Sequence, residues 1–190
     1  MNAPQTYLNA PRPYRFNVEE FMLLSESGAF DDCGKTELID GEIFYMNSQL
    51  TRHARTKSNL FVEIALALRA MNSDLTAVVE VAVHLSDESM PEPDIVITSY
   101  KGDRAVPLES VALVIEVSDT TLDTDLGRKL ELYAKAGVPE YWVVDVNENR
   151  VLMHMAPVDG DYPEQIDVPF GEMLISGTIE GLQVESAGLG

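Results

Sequence analysis

Val111-Ala112-Leu113-Val114-Ile115-Glu116-Val117 is the stretch that decides the fold. Six of its seven residues are apolar, which is typical of a central strand buried on both faces of a sheet. Residues 124–136 then show helical spacing and end at Gly137, a residue that commonly terminates helices. Residues 141–146 and 151–155 flank a short polar turn and predict an antiparallel hairpin. A strand, a helix and a hairpin in this order predict a mixed α/β domain.

The sequence before this strand predicts two helices and another hairpin. Asn17 and Glu20 have the spacing of a capping box, which marks the start of a helix. Asp40-Gly41 is a two-residue turn signal in the middle of residues 37–46, so this segment predicts a β-hairpin. Over residues 51–71 the apolar side chains recur every three or four positions, which predicts one long amphipathic helix.

Two more segments are strand candidates, and together the elements suggest one domain. Residues 77–85 alternate in part between apolar and polar side chains, and residues 94–97 are short and β-branched. Because no linker divides the chain, we expect an irregular arm at residues 1–16 and a single domain at residues 17–190. Residues 157–190 are expected to form an acidic, β-rich tail of that domain.

Composition limits the partners and the location. The chain has 190 residues, of which 32 are acidic and 13 are basic, so its formal net charge is −19. This charge argues against binding nucleic acid as a bulk polycation, but it leaves a local basic groove open. The single cysteine, Cys33, excludes an internal disulfide. No apolar run approaches the roughly 20 residues that span a bilayer, and residues 1–16 lack the apolar region of a signal peptide, so we expect a cytoplasmic protein that is not in a membrane.

Two carboxylates stand out as candidates for chemistry. Glu116 interrupts an apolar strand, where a carboxylate is costly to bury unless it is paired, protonated or bound to a metal. Asp94 follows Pro93 at the start of the preceding strand candidate. If the two strands pair, both carboxylates could converge on one divalent ion, and oxygen ligands suit Mg²⁺ or Mn²⁺. The alternatives are an edge position or a structural ion pair for Glu116, and a turn or capping role for Asp94.

Lys129 is the third candidate. At about 100° per helical residue it borders the apolar face of Leu126 and Tyr133, whereas Arg128 and Lys135 are expected on the opposite face. The alternative is a lysine whose stem packs while its ammonium reaches solvent. Two carboxylates and an inward lysine suit phosphodiester hydrolysis, in which a metal polarises the phosphoryl oxygen and a lysine steers or deprotonates water.

A short basic cluster is a candidate contact for nucleic acid. Arg52, His53, Arg55 and Lys57 lie together at the start of the long predicted helix. The first amides of a helix also favour anions, so phosphate could bind there. The alternative is a solvated first turn with no ligand.

The sequence also resembles the Uma-type restriction endonuclease family, which belongs to the PD-(D/E)XK nuclease superfamily. The likeness covers roughly residues 17–156 and includes Glu37–Glu42 and His53. Its remaining parts are Pro93-Asp94-Ile95-Val96-Ile97, Leu113-Val114-Ile115-Glu116-Val117-Ser118, then Asp125, Lys129 and Tyr133, and finally Gly137-Val138-Pro139-Glu140-Tyr141-Trp142-Val143-Val144-Asp145.

This resemblance implies a restriction-endonuclease-like α/β fold, with a central mixed sheet flanked by helices. It implies Asp94 and Glu116 as metal ligands and Lys129 as the catalytic lysine. In the superfamily the lysine usually lies two residues after the acid, a place that Ser118 occupies here, so the lysine's role would have moved to the helix. Glu63, on the long helix, is a possible additional acidic site residue.

The function expected from the resemblance is hydrolysis of DNA by a Mg²⁺-dependent (or Mn²⁺-dependent) endonuclease that uses a metal-activated water. It also implies a homodimer, since nucleases of this kind often cut two strands with two copies. Two alternatives remain open: an inactive nuclease scaffold that binds or regulates, which the charge of −19 favours, and a metal-dependent hydrolase of another substrate.

Overall fold

The computed structural model describes residues 12–46 and 49–190 and is organised around one mixed sheet of six strands. In spatial order these strands are β10 (Glu164–Pro169), β9 (Arg150–Met155), β8 (Glu140–Asp145), β7 (Val111–Ser118), β5 (Ile95–Thr98) and β3 (Thr76–Val79). Strands β7 and β8 are parallel, and all other neighbouring pairs are antiparallel. The sequence prediction of a central mixed sheet is therefore confirmed.

The predicted helices and hairpins form where local signals are strong. Helix α1 (Val18–Glu26) begins at the Asn17–Glu20 capping box, and α2 (Thr51–Ala70) is the long amphipathic helix. Strands β1 (Lys35–Ile39) and β2 (Glu42–Met46) form the first hairpin. Asp40 and Gly41 both have positive φ, the backbone that a tight hairpin turn needs. Of the expected arm at residues 1–16, residues 1–11 lie outside the described part of the chain and residues 12–16 have no regular structure.

One predicted strand, residues 77–85, is wrong as a single element. The chain leaves β3 at Glu80, whose φ is 51°, and continues as the short strand β4 (Val83–His84). Strand β4 pairs with β6 (Val106–Pro107) in a separate two-stranded sheet. The pairing with β5 ends at Glu80, whose amide still donates to the carbonyl of Asp94 at 3.3 Å; beyond it the chain is held by other partners, since the amide of Val83 donates to the carbonyl of Pro91 and the amide of Val106 to the carbonyl of Ala82, both at 2.8 Å.

The helix predicted at residues 124–136 is longer and irregular. It consists of α3 (Leu122–Thr124), a π-helical segment (Asp125–Lys129) and α4 (Leu130–Ala136), and Gly137 ends it with a left-handed backbone. A π turn spaces its hydrogen bonds by five residues instead of four, and such turns often occur at functional sites. An angular argument based on 100° per residue cannot anticipate this segment.

Helices cover both faces of the sheet, as the sequence predicts. On one face α2 packs Leu60, Ile64 and Leu68 into a core that includes Ile115 and Trp142. On the other face α4 packs against the sheet; its buried side chains are those of Leu132, Tyr133 and Ala134. Among the described residues no helix is both long and apolar enough to cross a bilayer.

The tail folds onto the same core. Strand β10 extends the central sheet, and β11 (Met173–Ile175) pairs with β12 (Gln183–Glu185). The buried tail side chains belong to the core beneath α2; they are those of Leu174, Ile179, Leu182, Val184 and Leu189. In addition, Thr56 of α2 donates to the carbonyl of Leu189 at 2.9 Å.

Candidate active site

The sheet register brings the two predicted carboxylates together. Ile95 of β5 lies opposite Ile115 of the antiparallel β7, so Asp94 and Glu116 follow as the next neighbours along the pair. Because side chains alternate between faces along a strand, Glu116 lies on the face that α4 covers. Asp94, just before β5, lies at the end of the strand pair, where its Oδ1 contacts side chains of α2. Asp94 Oδ2 accepts a hydrogen bond from the amide of Val117 at 2.8 Å. The sequence left the pairing of these two strands as a condition, and the structure meets it.

Asp94 is buried among side-chain donors from α2 and from Gln49, two residues before the start of that helix. Its Oδ1 lies 3.1 Å from His53 Nε2, 3.1 Å from the Gln49 amide nitrogen and 3.4 Å from Lys57 Nζ. Burial by itself would raise the pKa of Asp94, but the hydrogen bond and charge of His53 and the Val117 amide lower that pKa well below its usual range. The site therefore holds Asp94 as an anion with a fixed orientation.

Lys57 belongs to this site and not to the solvated start of α2. Its ammonium is buried, and it donates to Glu80 Oε1 at 2.6 Å and to Gln49 Oε1 at 2.7 Å. The predicted basic cluster thus divides, because Arg52 and Arg55 are exposed while Lys57 points inward. A phosphate could bind Lys57, as the sequence suggested, only if it displaced Glu80 and Gln49 from the ammonium.

Lys129 lies between two buried carboxylates. Its Nζ is 2.9 Å from Glu116 Oε1 and 3.1 Å from Glu37 Oε2, and its side chain is 2% exposed. The alternative of an ammonium that reaches solvent is therefore wrong. Tyr133 also donates to Glu116 Oε1, at 3.0 Å.

Burial and ion pairing compete in setting the charges of this group. Burial lowers the pKa of Lys129, but the carboxylates of Glu116 and Glu37 outweigh it and raise that pKa above its ordinary value. Burial raises the pKa of Glu116; Lys129 opposes this rise, and the anions of Asp125 and Asp94 add to it. The Lys129 ammonium thus stays charged beside a carboxylate that is costly to ionise.

Glu37 is the site residue that sequence reasoning missed. It belongs to β1 and is completely buried, and its Oε1 accepts from the amide of Glu92 at 3.1 Å. Its Oε2 has no hydrogen-bond partner among the described residues, although Lys129 Nζ is near. The one available signal was a glutamate beside the apolar Leu38 and Ile39, but the sequence names no partner for it.

The π segment carries Lys129 to this position and is itself tied to the sheet. Asp125 Oδ2 accepts from Ser118 Oγ at 2.5 Å and from Thr121 Oγ1 at 2.6 Å. Arg128 was predicted on the solvent face, but it is half-buried against the first hairpin. Its guanidinium pairs with Glu42 Oε2 at 2.9 Å and lies 4.4 Å from the centre of the Phe44 ring.

These groups line one cavity of about 440 Å³. Five carboxylates and two lysines line it: Glu80, Asp94, Glu116, Asp119 and Asp125, with Lys35 and Lys129. The other polar lining side chains are Gln49, His53, Tyr45, Thr120 and Thr121. With every carboxylate ionised and His53 neutral, the wall would carry a net charge of minus three.

The remaining predicted residues lie apart from the carboxylate pair. Glu63 is exposed on α2 and is not among the described residues that line the cavity, because it falls outside the buried stripe of that helix. Arg52 lies near the rim, where its guanidinium is 3.3 Å from Asn147 Oδ1, and Asn147 in turn bonds the carbonyl of Asp119. A role of Arg52, His53 or Arg55 in binding nucleic acid stays a prediction.

Comparisons with known proteins agree with this architecture. The crystal structure of a "putative nuclease belonging to DUF820" from Anabaena variabilis superposes with a TM-score of 0.68 at 17% sequence identity, covering 92% of this chain and 97% of that one. At this identity the likeness shows the fold alone. No curated protein matches the chain. The profile of the Uma2 family, described as "putative restriction endonuclease", matches residues 18–187, and the chain therefore belongs to that family.

Proposed function

We propose that this protein is a magnesium- or manganese-dependent endonuclease that hydrolyses phosphodiester bonds of DNA. The observation that carries the proposal is the position of Lys129, whose ammonium lies 2.9 Å from Glu116 and is buried next to the strand pair that holds Asp94. Stability is a weak explanation for burying three such charges, because hydrophobic replacements of a buried ion pair are often as stable or more stable. Membership of a restriction endonuclease family supports the same chemistry.

The residues present fit a divalent cation. Asp94 and Glu116 would hold it, since Mg²⁺ is usually bound by one or two carboxylates together with water and substrate phosphate. Glu116 Oε2 receives no hydrogen bond from the described residues, so this oxygen is free to act as a ligand. In the described chain no three His, Cys, Asp or Glu side chains are arranged so that they could together hold a metal ion. Water and substrate phosphate would therefore supply the remaining ligands. When bound, the ion would polarise the phosphoryl oxygen and make water more acidic.

The chain's own groups would then orient the reactants. The Val117 amide, His53 and Gln49 fix the orientation of Asp94, and Tyr133 does the same for Glu116. The ammonium of Lys129 provides a positive charge that is already in place where negative charge builds on the phosphate. Such fixed charges stabilise a transition state because they need no reorganisation during the reaction.

Two other functions are compatible with parts of the structure. The net charge of −19 favours a scaffold that binds or regulates without turnover, since the long-range field repels DNA. A metal-dependent hydrolase of a different substrate would use the same carboxylates and the same lysine. The homodimer and the cytoplasmic location stay predictions.

The test is cleavage of circular DNA, both supercoiled duplex and single-stranded, with Mg²⁺ or Mn²⁺ and with EDTA as a control. We expect cleavage that EDTA stops, and Glu116→Gln should reduce its rate by at least about 10²-fold, because an amide cannot offer the ion a negative charge. Lys129 keeps Glu37 as its partner in this variant, so the fold should survive. Glu131→Gln, an exposed change on α4, is the matched control.

Calorimetry of Mn²⁺ with the parent protein, Asp94→Asn and Glu116→Gln separates the alternatives. Nucleolytic activity together with weaker Mn²⁺ binding by both variants supports the proposal. Metal binding without cleavage of either DNA favours a hydrolase of another substrate. If neither DNA is cut and both variants bind Mn²⁺ as well as the parent does, the proposed active site is wrong.

A further inference from the structure

We propose that the cavity accepts one DNA strand at a time, with a base stacked on Tyr45, and that duplex DNA is a poor substrate. This inference rests on the proposed nuclease function and specifies its substrate. Three features of the described residues carry it: the depth of the reacting groups, the charge of the cavity wall, and an exposed aromatic ring on the lining.

The reacting groups lie at a depth that a scissile phosphate reaches only by entering the cavity. Asp94 is 3% exposed and Glu116 is 4% exposed, and Lys129 is buried beneath them. The cavity of about 440 Å³ has the size of a pocket for one small molecule, since such pockets measure about 300–1,000 Å³. A nucleotide of a flexible strand fits this space, whereas the paired strand of a duplex would have to remain outside against the rim.

The rim would repel that second strand. Asp119 is acidic, lines the cavity and is not fully buried. Glu80 lines it as well, although Lys57 pairs with Glu80 at 2.6 Å, and the half-buried Lys35 is the one rim cation among the described lining residues. Proteins that hold duplex DNA commonly contact about 6–10 phosphates with basic side chains. Near this cavity the described exposed cations at the start of α2 are Arg52 and Arg55. Two exposed arginines match a short single strand better than a duplex footprint.

Tyr45 provides a surface for a base. Its ring is 69% exposed although it lines the cavity, and it extends from β2, which is held by the complete register of the first hairpin. Leu50, also exposed on the lining, adds apolar surface at the same mouth. Aromatic rings bind single strands by stacking on bases regardless of sequence, because every base has a π face.

The experiment compares a labelled single-stranded oligonucleotide with the duplex of the same sequence. Fluorescence anisotropy with the Glu116→Gln protein measures binding, and cleavage by the parent protein with Mg²⁺ measures kcat and KM. We expect the single strand to bind more tightly and to be cut with the higher kcat/KM. Tyr45→Ala should weaken binding of the single strand about 5- to 150-fold, the range that corresponds to one lost stacking contact.

Two controls isolate the stacking contact. Tyr45→Phe keeps the ring and should bind like the parent, and Tyr14→Ala removes an equally exposed ring (67%) that is not on the cavity lining, with no effect expected. In cleavage, Tyr45→Ala should raise KM much more than it lowers kcat, because stacking holds substrate and transition state alike.

The outcomes distinguish this inference from the proposed function. Equal or better cleavage of the duplex, or unchanged single-strand binding by Tyr45→Ala, overturns the inference but leaves the nuclease in place. If neither oligonucleotide binds or is cut with any divalent metal, the proposed function itself fails and the inference fails with it.

Discussion

Replacing Lys129 by methionine should destabilise the protein strongly, even though the change removes a charged residue from its interior. Methionine has nearly the same length, so little cavity forms. The loss comes from Glu37 and Glu116, which lie 3.1 Å and 2.9 Å from the ammonium and would face each other without a cation. Removing one partner of a buried ion pair costs about 3–5 kcal/mol. This is a large part of the roughly 5–15 kcal/mol that holds a domain together.

A second substitution tests the origin of this loss. Glu37→Gln in the Lys129→Met protein removes one of the two stranded anions, so the double variant should recover part of the lost stability. In the parent background Glu37→Gln leaves the Lys129–Glu116 pair intact. The two changes should therefore be non-additive by about 0.5–3 kcal/mol, the range measured for residues in direct contact.

Urea unfolding at neutral pH measures these free energies, and Lys135→Met is the control because Lys135 is exposed and pairs with Glu131 on the surface of α4. On the sequence alone, a lysine at the border of the apolar helix face would be expected to leave the fold nearly intact when it is removed. The structure reverses that expectation, so loss of cleavage in a Lys129 variant is informative only when unfolding is measured beside it. A Lys129→Met protein within about 0.5 kcal/mol of the parent, the usual range for surface substitutions, would refute the buried arrangement.

Two further predictions concern the rim and the sheet. The log of the binding constant falls as the log of the salt concentration rises, with a slope of about −0.7 per phosphate contact for a single strand. Arg52→Ala combined with Arg55→Ala should make this slope less steep by about 1.4. An unchanged slope would place DNA elsewhere. His154 is buried without a hydrogen bond to either ring nitrogen among the described residues, and burial lowers its pKa. His154 therefore binds a proton more readily in the unfolded chain than in the folded protein. The free energy of unfolding should fall as the pH drops below about 6.5, by at most about 1.4 kcal/mol per pH unit. Urea unfolding between about pH 7.5 and 5.5 should show a smaller loss for His154→Phe than for the parent, with the exposed His84→Gln as control; equal losses would contradict the assignment.

Much of the fold could be predicted because its signals are local. The Asn17 capping box, the Asp40-Gly41 turn and the spacing over α2 each depend on residues within a few positions of one another. The apolar run that became β7 also identified a central strand, because burial on both faces requires apolar residues at nearly every position. The sequence offered the pairing of β5 with β7 only as a condition, and the structure contains it.

The errors arose where distant contacts decide the local backbone. The strand predicted at residues 77–85 breaks at Glu80, whose amide bonds to the carbonyl of Asp94. The π segment Asp125–Lys129 has no signature in the spacing of apolar residues, because Ser118 and Thr121 hold it through the buried Asp125. In both places contacts with distant parts of the chain accompany the change: β4 pairs with β6 instead of continuing β3, and Asp125 bonds to Ser118 of β7.

The candidate site shows the same division. Asp94, Glu116 and Lys129 could be found because each is a charged residue at a position that the pattern makes inward. Glu37 could not be found, because its partner Lys129 lies 92 residues away in the sequence. Lys57 was grouped with the candidate phosphate contacts for the same reason, since its partner Glu80 follows β3, 23 residues away.

The buried charges also explain why the first hairpin belongs to the site. Glu37 enters from β1, and Arg128 anchors the π segment to β2 through Glu42. The hairpin thus holds the end of the segment that carries Arg128 and Lys129, Ser118 and Thr121 hold its other end at Asp125, and the sheet register holds Glu116. A lysine at the usual superfamily position would be fixed by its strand alone. With Ser118 in that place, the position of the Lys129 ammonium depends on three elements: β1, β7 and the π segment. The ion pair with Lys129 offsets the cost of burying Glu37, and it also orients the lysine.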